Sequence, residues 1–359
     1  MTVGDEEYDR AKDVKQFDDS KIGVKGLVDS GAATIPPFFV HPPESRPRST
    51  PTTLLSDLIP VIDLSGATSS RRSTIIDQVR HASRTLGFFQ ITNHGIPTVV
   101  LDRTISAIKA FNEQPTQTKS QFYSRDPGHG VAFSTNFDLF HSKAASWRDT
   151  LQLRMGPTAP ETERIPEICR REVMEWDVET KKLGDLLMGV LSEGLGLEEG
   201  RLKEMTCLEG RVMVGHYYPS CPQPDLTLGI TSHTDPGVLT VLLQNQIRGL
   251  QVKFGEDWVD VKPVAGALVI NIGDILQIIS NDEYKSVEHR VLANPFHEPR
   301  ISVAVFFNPN KRDDLFGPLP DLTSPEKPAL YQMFIYSEFM RRFFTKELDG
   351  KTLMGYFKL

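Results

Sequence analysis

Apolar residues in the first half of the chain recur mainly at helical spacing. In residues 69–87, for example, Ile75 and Val79 lie one turn apart, and Gly87 follows as a stop signal. Between Arg171 and Leu197 the apolar positions again lie near 3.6 residues apart, which is typical of a helix with one buried face. The pattern predicts helices within 69–87, 101–111 and 171–197, and short strands at 59–64 and 88–91.

From Arg211 onward the pattern changes to short β-rich segments separated by Gly, Pro and Asp turns. Eight such segments follow one another: VMVGHYYP, GITSHTDPG, VLTVLLQ, GLQVKF, DWVDV, GALVINIGD, YKSVEHRV and ISVAVFFN. Many short strands with turn signals between them indicate a sandwich or a jelly roll. A helical pattern returns at residues 331–344, YQMFIYSEFMRRFF. We therefore expect a mainly β protein with flanking helices, of the α+β class.

These changes of pattern predict four regions. Residues 1–58 form an N-terminal extension and linker, in which residues 42–53 are rich in Pro, Ser and Thr. The stretch from Phe17 to Val40 carries apolar residues that could dock on a core. A helix-and-strand region at 59–205, a β core at 206–315 and a C-terminal helical segment at 316–359 complete the division.

Composition narrows the class of partner and the compartment. The formal net charge is -7, which argues against nucleic acid or an anionic membrane as a partner. The three cysteines show no CxxC spacing, so we expect neither a disulfide framework nor a thiolate metal site, and a reducing compartment fits. The acidic N-terminal decapeptide resembles neither a signal nor a transit peptide, and no run of eighteen apolar residues occurs. A cytoplasmic enzyme is the expectation.

One short motif suggests a metal site. His233 and Asp235 are two residues apart, and alternate side chains of a strand point to the same face. His289, in another strand-like segment, supplies a second imidazole. Two His and one carboxylate are the ligands of non-haem Fe(II) oxygenases, although Zn(II) would accept the same set. An isolated His-x-Asp also occurs by chance, so the motif alone does not decide the function.

Three residues near this motif suggest a second, anion-binding site. Arg300 and Ser302 share one face of a predicted strand, and a guanidinium beside a hydroxyl suits a carboxylate such as that of 2-oxoglutarate. Tyr218 could add a phenolic hydrogen bond. The alternatives are a surface Arg–carboxylate pair and an ordinary half-buried tyrosine. The position of Arg300, eleven residues after His289, favours the anion site.

Together these segments resemble the plant 2-oxoglutarate/Fe(II)-dependent dioxygenases over nearly the whole chain. IPVIDL and LGFFQITNHGIP are similar to that family's N-terminal region, and YYPSCPQPDLTLGITSHTDPGVLTVLLQ, SNDEYKSVEHRVLAN and PRISVAVFFNP to its oxygenase half. FDDSKIGVKGLVDSG and SWRDT resemble the branch called 1-aminocyclopropane-1-carboxylate oxidase homologues. The resemblance implies a double-stranded β-helix (jelly roll) core and oxidation, foremost hydroxylation, of a small specialised metabolite.

The resemblance also implies a role for each matching residue. His233, Asp235 and His289 match the iron ligands, and Arg300, Ser302 and Tyr218 match the 2-oxoglutarate contacts. The implied cofactors are Fe(II), 2-oxoglutarate as co-substrate, O₂, and ascorbate as reductant; the implied partner is a small molecule, and the enzyme is expected to be a monomer.

Further positions are matched less directly. Phe306 and Asn308 match positions that often face the organic substrate. His216 stands where many relatives have Asn, which leaves its role open. Phe133, Phe137 and Phe140 lie where the family has a substrate-covering strand, but their aromatic side chains favour a plain core role.

Two other functions stay open: an oxidase of the aminocyclopropane-carboxylate type that does not use 2-oxoglutarate, and a jelly-roll protein that binds without catalysis. Several polar residues are predicted to be structural instead. His94 is interpreted as a hydrogen-bonded turn residue, Asn271 and Asp274 as parts of a β-turn, and Cys221 as packed and unreactive.

Overall fold

Fourteen strands and ten α-helices occur in the part of the chain that the structure, a computed structural model, describes: residues 8–47, 58–126, 128–310, 313–345 and 352–359. The helices are α1 (Arg10–Ser20), α2 (Gly23–Asp29), α3 (Arg72–Thr85), α4 (Thr98–Asn112), α5 (Thr116–Lys119), α6 (Arg170–Gly194), α7 (Arg201–Glu204), α8 (Asp274–Ile279), α9 (Tyr336–Phe344) and α10 (Thr352–Phe357). The strands are β1 (Val61–Asp63), β2 (Phe88–Thr92), β3 (Val131–Ser134), β4 (Asp149–Arg154), β5 (Gly210–Tyr218), β6 (Leu228–His233), β7 (Leu239–Gln244), β8 (Leu250–Phe254), β9 (Asp257–Asp260), β10 (Leu268–Ile272), β11 (His289–Leu292), β12 (Arg300–Asn308), β13 (Leu315–Phe316) and β14 (Phe334–Ile335).

Strands from both halves of the chain join in one large sheet. Its order is β1-β2-β10-β7-β12-β5-β4-β3, and a four-stranded sheet has the order β6-β11-β8-β9. Apolar side chains from both sheets form a common core; Ile230 and Leu250 of the small sheet belong to it with Val269 of the large one. The arrangement confirms the predicted jelly-roll class, and all eight strands expected after Arg211 are present, although neither sheet closes on itself.

The large sheet has two chemically different faces. On β12, Val303, Val305 and Phe307 alternate with Ser302 and the other residues of the second face. The three apolar residues belong to the main core, which also contains the buried face of α6. Because side chains alternate along a strand, the second face of β12 points the opposite way, toward the small sheet. The predicted helices at α3, α4 and α6 and strands at β1 and β2 are confirmed.

Sequence patterns missed or misplaced several elements. The first two helices, β3, β4 and α8 were not predicted. The C-terminal helix begins only at Tyr336, because the residues before it, Phe334–Ile335, pair with β13 instead. Part of the predicted linker, residues 48–57, lies outside the described residues.

The N-terminal extension docks on the rest of the chain, as its apolar residues predict. Phe17, Phe38 and Phe39 are buried in one cluster with Trp147, whose ring lies 5.0 Å from that of Phe39. The first two backbone N–H groups of α2 after Gly23, those of Val24 and Lys25, donate 2.8 Å hydrogen bonds to the buried Asp149 carboxylate. The extension is therefore tied directly to β4. In the described ranges, no helix has the length and apolar character that a membrane span requires.

Candidate active site

The two predicted metal-binding histidines face each other across a strand pair. His233 at the end of β6 is the direct partner of His289 at the start of β11, and their ring centroids lie 4.2 Å apart. Nδ1 of His233 lies 2.8 Å from the Thr231 carbonyl oxygen, and Nδ1 of His289 lies 3.2 Å from that of Val287. An Nδ1–H bonded to a carbonyl leaves Nε2 as the ligand atom. Both Nε2 atoms are thus presented to a common point.

Asp235 completes the triad from just beyond the strand. The strand ends at His233, so the prediction that both residues lie within one strand is wrong, but the two side chains still converge. Oδ1 of Asp235 lies 3.6 Å from Nε2 of His233 and 3.5 Å from Nε2 of His289. Ligand atoms from the three residues all lie within 4.8 Å of one another. They could hold one metal ion.

The other carboxylate oxygen of Asp235 is fixed by protein donors. Oδ2 accepts hydrogen bonds of 2.6 Å from the Thr240 hydroxyl and 2.7 Å from Nδ2 of Asn271. The two donors lie on β7 and β10. Because both bind Oδ2, the other oxygen, Oδ1, faces the two histidines. Sequence reasoning missed both donors; it assigned Asn271 to a β-turn, whereas the residue lies within β10.

Burial and mutual charge set the protonation of the triad. Burial, together with the nearby His289, lowers the pKa of His233 to about 3. Burial by itself would raise the pKa of Asp235, but the two imidazoles and the two hydrogen bonds to Oδ2 outweigh it and lower that pKa. The triad is therefore suited to offer a neutral imidazole at His233 and a carboxylate at Asp235. Metal ligands need these forms.

Arg300 occupies the deep end of the same cavity. Its side chain is 1% exposed, and no carboxylate of the described residues lies within ion-pairing distance. Nη2 donates a 2.8 Å hydrogen bond to Oε1 of Gln244, Nη1 lies 3.4 Å from Oγ of Ser302, and Nε has no partner among the described residues. A buried cation without a counter-ion is costly. An anionic ligand at this end of the cavity would offset that cost.

Unsatisfied hydrogen-bond donors surround Arg300. The Tyr218 hydroxyl and Nε2 of Gln244 are buried and lack protein partners in the described chain, and the guanidinium lies 4.9 Å from the centre of the Tyr218 ring. The structure thus brings Tyr218, Arg300 and Ser302 together, as predicted, and adds Gln244. The amide of Gln244 was missed because a lone Gln at the end of an apolar strand carries no sequence signal.

His216 lines the same cavity as the metal-ligand triad and Arg300. Its Nδ1 lies 3.0 Å from the Thr150 hydroxyl, and its ring centroid lies 5.8 Å from that of Tyr218. Burial, reinforced by the charges of Arg148 and Arg300, lowers the pKa of His216 well below its ordinary value. A neutral imidazole therefore lines the cavity at this position, and Thr150 fixes its orientation.

The structure shows where the candidate substrate residues lie and corrects the core interpretation for two aromatic residues. Phe306 lines the cavity, and Asn308, at the end of β12, accepts a 3.0 Å hydrogen bond from the Tyr336 hydroxyl. Phe133 is fully buried on the helix side, which confirms a core role. Phe137 and Phe140 are 43% and 46% exposed, so the core interpretation is wrong for both. They follow β3 in a surface loop rather than continuing the strand.

His94 and Cys221 are placed in the structural roles predicted for them, whereas Asp274 is not. His94 contacts the Gly266 carbonyl oxygen at 3.0 Å, and Cys221 is buried, which raises its pKa to about 12. Asp274 does not close a β-turn; it begins α8 and accepts a 3.0 Å hydrogen bond from Thr234.

The cavity as a whole fits a divalent metal with a chelating dianion. Empty space of about 450 Å³, part of it open to solvent, runs between the triad and Arg300. One end offers two imidazoles and a carboxylate, and the other offers a buried cation with unused donors. A ligand with a metal-binding group at one end and a carboxylate at the other matches both.

Comparison with known proteins also assigns an iron site and a 2-oxoglutarate site to this chain. The model of the 2OG-Fe(II) oxygenase superfamily matches residues 209–309, and that described as the N-terminal region of non-haem dioxygenases in morphine synthesis matches residues 59–172. The chain is 46% identical over 357 residues to 1-aminocyclopropane-1-carboxylate oxidase homolog 1 of Arabidopsis thaliana, covering 98% of this chain and 97% of that protein. It is 42% identical to deacetoxyvindoline 4-hydroxylase of Catharanthus roseus, covering 98% and 90%.

A solved structure shares the architecture. The crystal structure of JOX2 in complex with 2OG, Fe and JA has a TM-score of 0.84 and 31% identity to this chain, with 94% of this chain and 97% of the other covered. The matched models and relatives extend over most of the sequence and include the strands that carry the triad and Arg300. The chain therefore belongs to the 2OG-Fe(II) oxygenase superfamily, among the plant 1-aminocyclopropane-1-carboxylate oxidase homologues, and its cofactor and co-substrate are those of the superfamily, Fe(II) and 2-oxoglutarate.

Proposed function

We propose that this dioxygenase hydroxylates a small specialised metabolite while 2-oxoglutarate is converted to succinate and CO₂. In this proposal His233, Asp235 and His289 hold Fe(II), and Arg300, Ser302 and Tyr218 bind the distal carboxylate of 2-oxoglutarate. The observation that carries it is the buried, unpaired Arg300 at the opposite end of the cavity from the triad. The iron, when bound with 2-oxoglutarate and O₂, supplies the oxidising chemistry.

The protein's own groups then have three tasks. Thr240 and Asn271 hold the Asp235 carboxylate so that only Oδ1 faces the iron position. Gln244 orients the Arg300 guanidinium toward the co-substrate. His216, neutral and held by Thr150, takes the place of the amide that many relatives have, and can donate one hydrogen bond into the cavity without adding charge.

Hydroxylation as the reaction type is supported by one relative, which is named as a 4-hydroxylase. The substrate is proposed to be organic and to lie near Phe306 and Asn308, on the open side of the cavity. The net charge of -7 further supports an enzyme that acts on neither nucleic acid nor anionic membranes. The proposal also takes the enzyme to be monomeric and cytoplasmic. Light scattering during gel filtration tests the monomer; a dimer mass would contradict it.

The direct test is succinate formation from 2-oxoglutarate under air with Fe(II) and ascorbate. We expect slow uncoupled turnover that Asp235→Ala abolishes and that the true organic substrate accelerates. Turnover of 1-aminocyclopropane-1-carboxylate in the absence of 2-oxoglutarate would instead identify the oxidase alternative. Binding of organic ligands with no iron-dependent succinate under any condition would identify a non-catalytic binding protein.

A further inference from the structure

The two histidines of the triad form the last pair of their strand ladder. β6 ends at His233 and β11 begins at His289, so the ladder does not extend beyond this pair on one side. On the other side the register shifts, because Val291 is paired with Ile230 and two residues of β6 therefore stand opposite one residue of β11. A bulge of this kind leaves a residue unpaired and disrupts the ladder locally. Backbone pairing alone therefore fixes the two histidines only weakly relative to each other.

The direction of the His233 side chain requires this bulge. Ile230 and His233 both line the cavity, although they are three residues apart and simple alternation would place them on opposite faces of β6. The extra residue of the bulge, which comprises Thr231 and Ser232, restores the inward direction of His233. The irregularity that aims this imidazole at the metal position thus also removes regular backbone pairing beside it.

Each imidazole is fixed to its own strand rather than to the neighbouring one. Nδ1 of His233 lies 2.8 Å from the carbonyl oxygen of Thr231, and Nδ1 of His289 lies 3.2 Å from that of Val287. In both cases the contact spans two residues of the same strand, so each imidazole moves with its own three-residue segment. The separation of the two Nε2 atoms therefore depends on how firmly the two segments are held together.

The middle residues of these two segments are joined through their side chains. Ser232 and Glu288 each directly precede a histidine of the triad, and neither is among the described residues that line the cavity. The Ser232 hydroxyl donates a 2.9 Å hydrogen bond to Oε2 of Glu288. This bond connects the two segments directly behind the imidazoles, at the point where the backbone ladder is interrupted.

Glu288 is held in turn by the third strand of the small sheet. Its other carboxylate oxygen, Oε1, lies 3.6 Å from the ammonium of Lys253 on β8, and its backbone carbonyl oxygen accepts a 2.8 Å hydrogen bond from the Lys253 N–H. The two side chains are partly exposed, so their ion pair contributes little to stability by itself. The bond from Ser232 is stronger, because hydrogen bonds to an ionised acceptor exceed those between neutral groups.

Resting on the proposed metal site, we infer that Ser232 and Glu288 are positioning residues for the metal centre. Their hydrogen bond sets the separation of the two imidazoles, and Lys253 holds the Glu288 carboxylate in the orientation that accepts it. Both residues act through the histidine that follows them and do not contact the metal themselves.

The test is titration of the full-length, metal-free protein with Co(II). This ion accepts the same kind of ligands as Fe(II), and its visible absorption bands report the geometry of those ligands. We expect Ser232→Ala and Glu288→Ala each to weaken Co(II) binding by about three- to tenfold, the effect of one hydrogen bond, and to shift the bands. Glu288→Gln keeps an acceptor oxygen for Ser232, so it should bind Co(II) more tightly than Glu288→Ala and restore the spectrum.

A double variant and a matched control separate this role from a general effect on stability. Ser232→Ala combined with Glu288→Ala should bind Co(II) no more weakly than Glu288→Ala alone, because both substitutions remove the same bond. Glu326→Ala removes another serine–glutamate hydrogen bond of 2.9 Å, from Ser324, at an exposed site. Neither the affinity for Co(II) nor the spectrum should change in this control.

Unchanged affinity and spectrum in Ser232→Ala and Glu288→Ala, or additive losses in the double variant, would overturn the positioning role and leave the metal site intact. An equal loss of affinity in Glu326→Ala would also overturn it. Ser232→Ala deletes one oxygen atom, so it provides the test even if Glu288→Ala does not fold. Failure of the unsubstituted protein to bind Co(II), or full binding by His233→Ala, would instead refute the proposed metal site, and this inference with it.

Discussion

Nδ2 of Asn271 donates a 2.7 Å hydrogen bond to Oδ2 of Asp235 and so ties β10 to the carboxylate of the triad. Asn271→Ala removes this bond and leaves Thr240 as the one side-chain donor to Oδ2 in the described structure. Loss of such an outer contact typically lowers metal affinity by about 10- to 100-fold. We expect that loss for Fe(II) or Mn(II) measured by anaerobic calorimetry, without a change of fold.

The matched control is Asn93→Ala. It removes another amide–carboxylate hydrogen bond of 2.7 Å, to Asp63, at an exposed site outside the cavity lining. Metal affinity should not change in this variant. If Asn271→Ala bound metal as tightly as Asn93→Ala, the bond to Oδ2 would have no part in metal binding.

Arg300→Ala separates the two ends of the cavity. The substitution removes the buried cation proposed to pair with the co-substrate, and truncating one partner of a buried charged pair costs about 2–5 kcal/mol. We expect 2-oxoglutarate affinity to fall by about a hundredfold and metal affinity to change by less than about twofold, because Arg300 touches none of the triad. Both are measurable by titration of the anaerobic protein.

Arg211→Ala serves as the control for a lost charged pair. Arg211 binds Asp177 through two hydrogen bonds, of 2.8 and 3.0 Å, and is absent from the cavity lining. The Arg211→Ala substitution should reduce the free energy of unfolding but leave the affinity for 2-oxoglutarate unchanged. Equal losses of metal and 2-oxoglutarate affinity in Arg300→Ala would contradict a separate anion site.

Asp149 of β4 holds the N-terminal extension on the rest of the fold. Its buried carboxylate accepts the hydrogen bonds from Val24 and Lys25 and lies near the buried ammonium of Lys119. Asp149→Ala leaves the two N–H groups without their acceptor and removes the negative charge near Lys119, whose ammonium keeps its hydrogen bond to the Asn112 carbonyl oxygen. We therefore expect about 3 kcal/mol of lost unfolding free energy and faster tryptic cleavage within residues 10–25. Asp126→Ala, an exposed carboxylate, is the control. Unchanged cleavage would mean that Asp149 does not hold the extension.

His41 gives a pH dependence of stability that is independent of the metal. Burial lowers the pKa of this histidine to about 4, from an ordinary value of 6.5. Below pH 6.5 the unfolded chain therefore binds a proton that the native chain binds only near pH 4. The native state loses stability as the pH falls through this window, by about 1.4 kcal/mol per pH unit and about 3 kcal/mol in all.

Urea unfolding of the metal-free protein between pH 7 and 4 tests this dependence. His41→Gln should reduce the slope of the unfolding free energy against pH by about 1.4 kcal/mol per pH unit. His81→Gln, which alters an exposed histidine, should leave that slope unchanged. An identical slope in the protein with and without His41 would show that its protonation is not linked to unfolding.

The sequence was sufficient where a periodic pattern or a spaced motif carried the signal. The eight strands after Arg211 alternate with turn residues. The numbers of residues that separate His233, His289 and Arg300 along the chain are typical of the iron and 2-oxoglutarate sites of this family. These features reflect local backbone geometry and short-range spacing. Both can be read along the chain without knowing which strands become neighbours.

The residues that were missed depend on pairing between distant strands. Asn271 reaches Asp235 only because β10 pairs with β7, and Thr150 orients His216 only because β4 pairs with β5. Phe137 and Phe140 share the residue type of core positions, yet the chain leaves β3 before them. Helices α1 and α2 are held by contacts with residues more than a hundred positions away, so local pattern could not reveal them.

The measurement that tests the central claim most directly is anaerobic titration of the protein with Fe(II) and then 2-oxoglutarate, followed by the weak visible charge-transfer band of the chelate. The account predicts that the band appears, is lost in His233→Ala, and in Arg300→Ala requires far more 2-oxoglutarate to form. Bound iron without any band would contradict 2-oxoglutarate chelation at this site. A band that persists unchanged in both variants would place the chelate somewhere other than between the triad and Arg300.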